Sequence, residues 1–125
     1  MKNYCGQRNA KGEPRVLVLE PGKKSRLLPI RLDLYNHSPD GFEWGYAGSG
    51  PAQLALAILA DVLEAPKLNS RLAWFADSDT DPRYVAVRLH QTFKRKFIAG
   101  LDQGQSWTIS EQMVRNFIQQ EESAA

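Results

Sequence analysis

Cysteine is nearly missing from this chain of 125 residues: Cys5 is the only one. An intramolecular disulfide framework is thereby excluded, and a reducing compartment is the natural setting. Histidine is almost as scarce, with His37 and His90 alone. Two histidines and one cysteine fall short of a structural zinc set, and no His-Glu-x-x-His spacing occurs. Long apolar runs are lacking too. The longest, Leu54 to Leu63, is broken by Asp61 and is far below the roughly 20 residues that span a bilayer. The start, Met1-Lys2-Asn3-Tyr4, has no apolar signal core. The expectation is a cytoplasmic protein, of a cell or of an infected host, without a membrane partner. Charge of one sign is not in excess either, since the formal net charge is +2. Residues 1 to 50 hold eight Lys/Arg and five Asp/Glu against eight and nine in the remainder, so charge alone does not announce a nucleic-acid binder.

What is present suits one core. A hydrophobic content of 42% with 24% charged residues is that of a globular chain, and 125 residues make a single domain. We expect that domain over residues 1–120, with a frayed tail at 121–125. The first half reads as strands. Val16, Leu17, Val18 and Leu19 run consecutively and stop at Pro21-Gly22, and the turn formers Asn9 to Gly12 let Tyr4 to Arg8 pair back as a hairpin. Ile30, Leu32 and Leu34 alternate with polar neighbours, and so do Phe42, Trp44 and Tyr46, the period-2 pattern of half-buried strands.

The second half reads as helices. Pro51 suits a first helical turn, with Ser49 or Gly50 as cap, and the apolar residues of Ala52 to Leu63 occur on every side, as in a buried helix. From Arg83, the spacing of Val85, Leu89, Phe93 and Phe97 predicts a second helix ending near Gly100. A short strand, Ser106 to Ile109, leads to Ser110 as cap of a last helix carrying Met113, Val114, Phe117 and Ile118 on one stripe. The expected fold is α+β: an antiparallel sheet of three to four strands against two or three helices, with a short strand before the last helix.

Four groups of residues invite a functional reading. The Gly-rich turn, Gly48-Ser49-Gly50 with Gln53 beyond it, aims a helix N-terminus at whatever approaches and suits a phosphate or carboxylate. It is neither a Walker loop nor a dinucleotide fingerprint, and a tight turn that only lets the helix pack is the equal alternative. His37, with Ser38, Asp40 and Glu43 nearby, resembles a hydrolase set but lacks a nucleophile context, so these residues are expected to fix the loop or to touch a ligand, not to catalyse. Trap of a base by stacking on Trp44 or Tyr46 is the nucleotide alternative; the same aromatic row also suits a core face. The run Lys94-Arg95-Lys96 and the loop cations Lys23, Lys24 and Arg26 can meet phosphates, while Trp74 and Phe75 in a polar connection suit a partner contact or closure over the core.

The block from Asp33 to Asp61, containing Asn36-His37-Ser38-Pro39, Gly41-Phe42-Glu43-Trp44-Gly45-Tyr46 and Gly48-Ser49-Gly50-Pro51-Ala52-Gln53-Leu54, closely resembles the signature of an uncharacterised family of short proteins of bacteria, phages and plasmids. Tyr4-Cys5-Gly6, Phe93-Lys94 and Trp107-Thr108-Ile109 are similar to that family as well. The resemblance implies no activity. It implies a setting, accessory proteins of mobile elements, in which blocking a host factor such as a defence system is common. The expectation is therefore a non-catalytic binding protein with a host protein partner and no cofactor or metal. Nucleotide binding, nucleic-acid binding and homo-oligomer formation are the alternatives carried forward.

Overall fold

The computed structural model describes residues 1–68 and 81–123. Trp74 and Phe75, expected as partner contacts, lie outside the described residues. Strands β1 (Asn3–Arg8) and β2 (Pro14–Leu19) form the expected antiparallel hairpin, Tyr4 opposite Val18 and Gly6 opposite Val16. Its turn is held by Asn9, whose side-chain oxygen accepts from the amides of Lys11 and Glu13. A two-residue strand, β3 (Arg26–Leu27), pairs with β2, and β4 (Trp107–Ser110) pairs with the other edge of β1, giving the antiparallel order β3-β2-β1-β4. Tyr4, Val16, Val18, Trp107 and Ile109 turn to the core, as alternation dictates.

Helix α1 (Ser49–Val62) is the centre of the molecule. Leu54 through Ala60 are fully buried without interruption, which is why its apolar residues lie on all sides. Its N-cap is Gly48, not Ser49 or Gly50, and no side chain caps it. Helix α2 (Pro82–Phe93) starts on Asp81, whose carboxylate accepts from the Arg83 amide, with Pro82 in the first turn. It runs on through a π-helical turn, Lys94–Ile98, closed by Ala99 N to Lys94 O. Helix α3 (Glu111–Ser123) follows β4, with Ser110 Oγ accepting from the Met113 amide as expected of a cap. Its last turn includes Glu121 and Glu122, which the sequence places in a frayed tail. Lys96 and Arg88 hold those two carboxylates. Phe93, Phe97 and Phe117 stack edge and tilt to lock α3 onto α2 and the π turn.

The expected fold class is what the chain adopts, a four-stranded antiparallel sheet with three helices and a short strand before the last one. Two of the expected strands are absent from it. Residues 30–34 form a turn, Leu34 N to Arg31 O, with Arg31 at φ 59° and its guanidinium on Asp33 and on the Ala65 and Pro66 carbonyls. Residues 42–46 form no strand and run into a bend at Gly45. Gly41 and Gly45 have φ of 129° and 90°, and the Gly45 amide bonds to Ile98 O instead of a neighbouring strand. The alternation in both stretches reflects loops pinned by side chains, not a sheet face. Among the described residues, no helix is long and apolar enough to cross a membrane.

Candidate functional site

The loop from Tyr35 to Gly50 wraps the first turns of α1, and Gln53 fastens it. Gln53 is fully buried. Its Oε1 accepts from the amides of His37 (2.8 Å) and Ser38 (3.3 Å), and its Nε2 donates to the carbonyls of Ile30 (2.7 Å) and Tyr35 (3.0 Å). All four bonds an amide side chain can make are used, which satisfies the rule that buried polar groups be paired. Gln53, expected at a ligand, is an internal clamp.

That clamp presents His37 to α2. His37 Nε2 lies 2.8 Å from His90 Nε2, and the Tyr35 ring stacks on the His37 ring at 4.3 Å between centroids. His90 Nδ1 faces the Val87 carbonyl, which can only accept, so Nδ1 carries the proton and Nε2 is the bare nitrogen. His37 Nε2–H is therefore the donor between the rings. Burial, then the neighbouring Lys94 ammonium, holds the His37 pKa below the usual imidazole value. For His90 burial again dominates, reinforced by His37 and Lys94 and only partly offset by the Val87 carbonyl. Both rings are neutral at pH 7. Sequence reasoning named His37 but missed His90 as its partner. The only signal was that the chain's second histidine falls on the apolar side of a predicted helix.

The Gly-rich turn is packed by its own chain. A Cβ on Gly48 would sit 2.3 Å from Tyr46 Cε2, and one on Gly50 would sit 2.7 Å from Glu43 Cβ. These glycines admit Tyr46 and Glu43, which favours the packing alternative over close approach by a ligand. Ser49 stays exposed. Trp44 is fully buried, edge-on to Trp107 and covered by the Arg8 guanidinium at 4.3 Å, so it offers no open face for a base. Tyr46 is 43% exposed and does. Arg8 also forks onto both Glu43 oxygens (2.6 and 3.2 Å) and donates to the carbonyls of Gln103 and Gly12. In the basic run, Lys96 pairs with Glu121 and Arg95 donates to Thr92 Oγ1, which leaves Lys94 beside the histidines. The described residues hold no group of three or more His, Cys, Asp or Glu placed for a metal.

These features define a small α+β protein built on one buried helix, with His37, Glu43 and Gln53 of its loop and first helical turns bonded inward. The chain belongs to the family of unknown function DUF6166, whose model matches residues 4–77. No curated protein and no solved structure matches it significantly.

Proposed function

We propose that this protein is a non-catalytic binding protein, an accessory factor of a phage or mobile element that acts by occupying a host component such as a defence system. The observation that carries the non-catalytic part is how the reactive groups of the loop are used. His37 and His90 are bonded to each other, Glu43 to Arg8, and Gln53 to four backbone groups. A general base must reach a substrate proton with a free lone pair at a matched pKa. The inner nitrogens of this pair face one another, and the inner ring is only 5% exposed. The setting in mobile elements rests on the sequence resemblance alone.

The test is turnover. Purified protein incubated with nucleotides, phosphodiesters and carboxylic esters is expected to release no product. Turnover that disappears in His37→Ala or Glu43→Gln protein of native stability would contradict the reading. The other half of the proposal predicts a stoichiometric complex with one host protein, measured by size-exclusion chromatography with light scattering on the purified pair.

A further inference from the structure

Away from the signature loop, a groove of about 480 Å³ lies between the β2–β3 connection and the C-terminal half of α1. Its volume is that of a small-molecule site. Five cationic side chains and three carboxylates line it, over a floor of small apolar residues that includes Val18, Ala57 and Ala60.

Two of the cations have structural work. Lys2 Nζ donates to the Asp61 carbonyl, and Arg31 to the Ala65 and Pro66 carbonyls, so both close the end of α1 and offset its negative pole. Asp61 is likewise spoken for, accepting from Tyr4 Oη (2.7 Å), Lys2 Nζ (3.2 Å) and Arg26 NH2 (2.8 Å). Burial raises its pKa, but the Tyr4 and Arg26 hydrogen bonds and the Lys2 charge outweigh that and keep it ionised. The remaining cations are not accounted for in this way. Arg26 uses only one terminal nitrogen on Asp61, and its side chain is 44% exposed. Lys23 meets Glu20 at 3.4 Å with 69% of its side chain in solvent. Lys24, also exposed, makes no hydrogen bond or ion pair among the described residues.

The geometry points to this groove as a binding site for a small phosphate monoester. Arg26, held through one terminal nitrogen by Asp61, keeps the other for an anion, and Lys23 and Lys24 stand on the same connection as point charges, a combination suited to a compact dianion. Pro29, exposed at the rim, offers an apolar surface for a flat organic body beside the phosphate. A nucleoside monophosphate has that shape and charge. The assignment supplies a ligand for the binding reading. It does not depend on that reading's mobile-element setting.

The experiment is isothermal titration at low ionic strength with AMP, inorganic phosphate, adenosine and a single-stranded oligonucleotide. Wild-type protein is expected to bind AMP more tightly than phosphate and to ignore adenosine. Lys24→Glu, at an exposed position outside the core, is expected to weaken AMP roughly tenfold with an unchanged melting temperature, and Arg26→Lys, which keeps the charge but cannot hold Asp61 and an anion with two separate nitrogens, to weaken it as well. No binding of AMP or phosphate to folded protein would overturn the assignment. So would AMP affinity unchanged by Lys24→Glu, or binding confined to the oligonucleotide with a steep salt dependence. Release of phosphate from bound AMP would support the groove while contradicting the non-catalytic reading, so the two can fail separately.

Discussion

His37 Nε2 and His90 Nε2 meet at 2.8 Å across the gap between the signature loop and α2, although 53 positions separate them in the chain. The ring centroids are 5.0 Å apart. That contact needs one bare nitrogen and one N–H; with burial holding His90 neutral and its Nδ1–H on Val87, His90 accepts and His37 donates. It is a second tie between the loop and this helical segment, beside the Gly45 amide on the Ile98 carbonyl in the π turn.

The pair makes stability depend on pH in the range around neutrality. Both histidines have pKa values lowered by folding, so the unfolded chain takes up protons first as pH falls. Stability is complete above about pH 6.5, the ordinary imidazole value, and drains away below it as pH drops toward the folded values. The limiting slope is about 1.4 kcal/mol per pH unit for each proton taken up only on unfolding. Asp33, Asp61 and Glu111, also lowered, act in the same direction but only below about pH 4.5. Urea titrations at pH 7.5, 6.5 and 5.5 are expected to give falling midpoints, and His90→Phe is expected to flatten that dependence.

Replacing Gln53 by Leu fills its space while stripping partners from the part-buried Ile30 and Tyr35 carbonyls and the His37 and Ser38 amides. Each buried orphan costs roughly 1–3 kcal/mol, and partial relaxation of the loop brings the expected total to about 3 kcal/mol. Denaturant unfolding measures it. Hydrogen exchange of the 35–38 amides should accelerate more than that of α3.

Arg8→Lys is expected to cost about 2 kcal/mol despite keeping the charge, because a lysine cannot fork onto Glu43, cover Trp44 and reach two carbonyls at once. A double-mutant cycle with Glu43→Gln isolates the pair, and a coupling energy near zero would contradict this account.

The glycines are tested by their neighbours. Gly50→Ala brings a methyl against Glu43 Cβ and the nearby backbone, with an expected loss of about 1–3 kcal/mol. Gly48→Ala meets only the half-exposed Tyr46 ring, which can swing away, so its cost is expected to be smaller and to vanish in a Tyr46→Ala background. Melting temperatures of the wild type, the three single variants and the Gly48→Ala/Tyr46→Ala double variant decide this.

Much of the fold was legible because it is locally encoded. The β1–β2 hairpin follows from its consecutive apolar residues and the Asn9 turn, α1 from its Pro51 start and all-round apolar content, and α3 from the Ser110 cap. Residues 30–34 and 42–46 misled because alternation reports which side chains are inward, and loops pinned by Arg31 or Arg8 alternate as strands do. The site was legible only in part. The sequence pointed to the loop that holds His37 and Tyr46, but the Gln53 clamp and the His90 partnership depend on contacts between distant parts of the chain that no local spacing encodes.

The central claim is that His37, Glu43 and Gln53 are each bonded to a partner elsewhere in the fold, His37 through its Nε2 to His90. Long-range proton–nitrogen correlation spectra of the two imidazoles, followed from pH 8 to pH 5, test it most directly. The account predicts a neutral His90 protonated at Nδ1, a neutral His37 protonated at Nε2, and titration of both rings below the ordinary imidazole value. Two rings exchanging freely between tautomers and titrating independently near pH 6.5, as solvent-exposed imidazoles do, would contradict it.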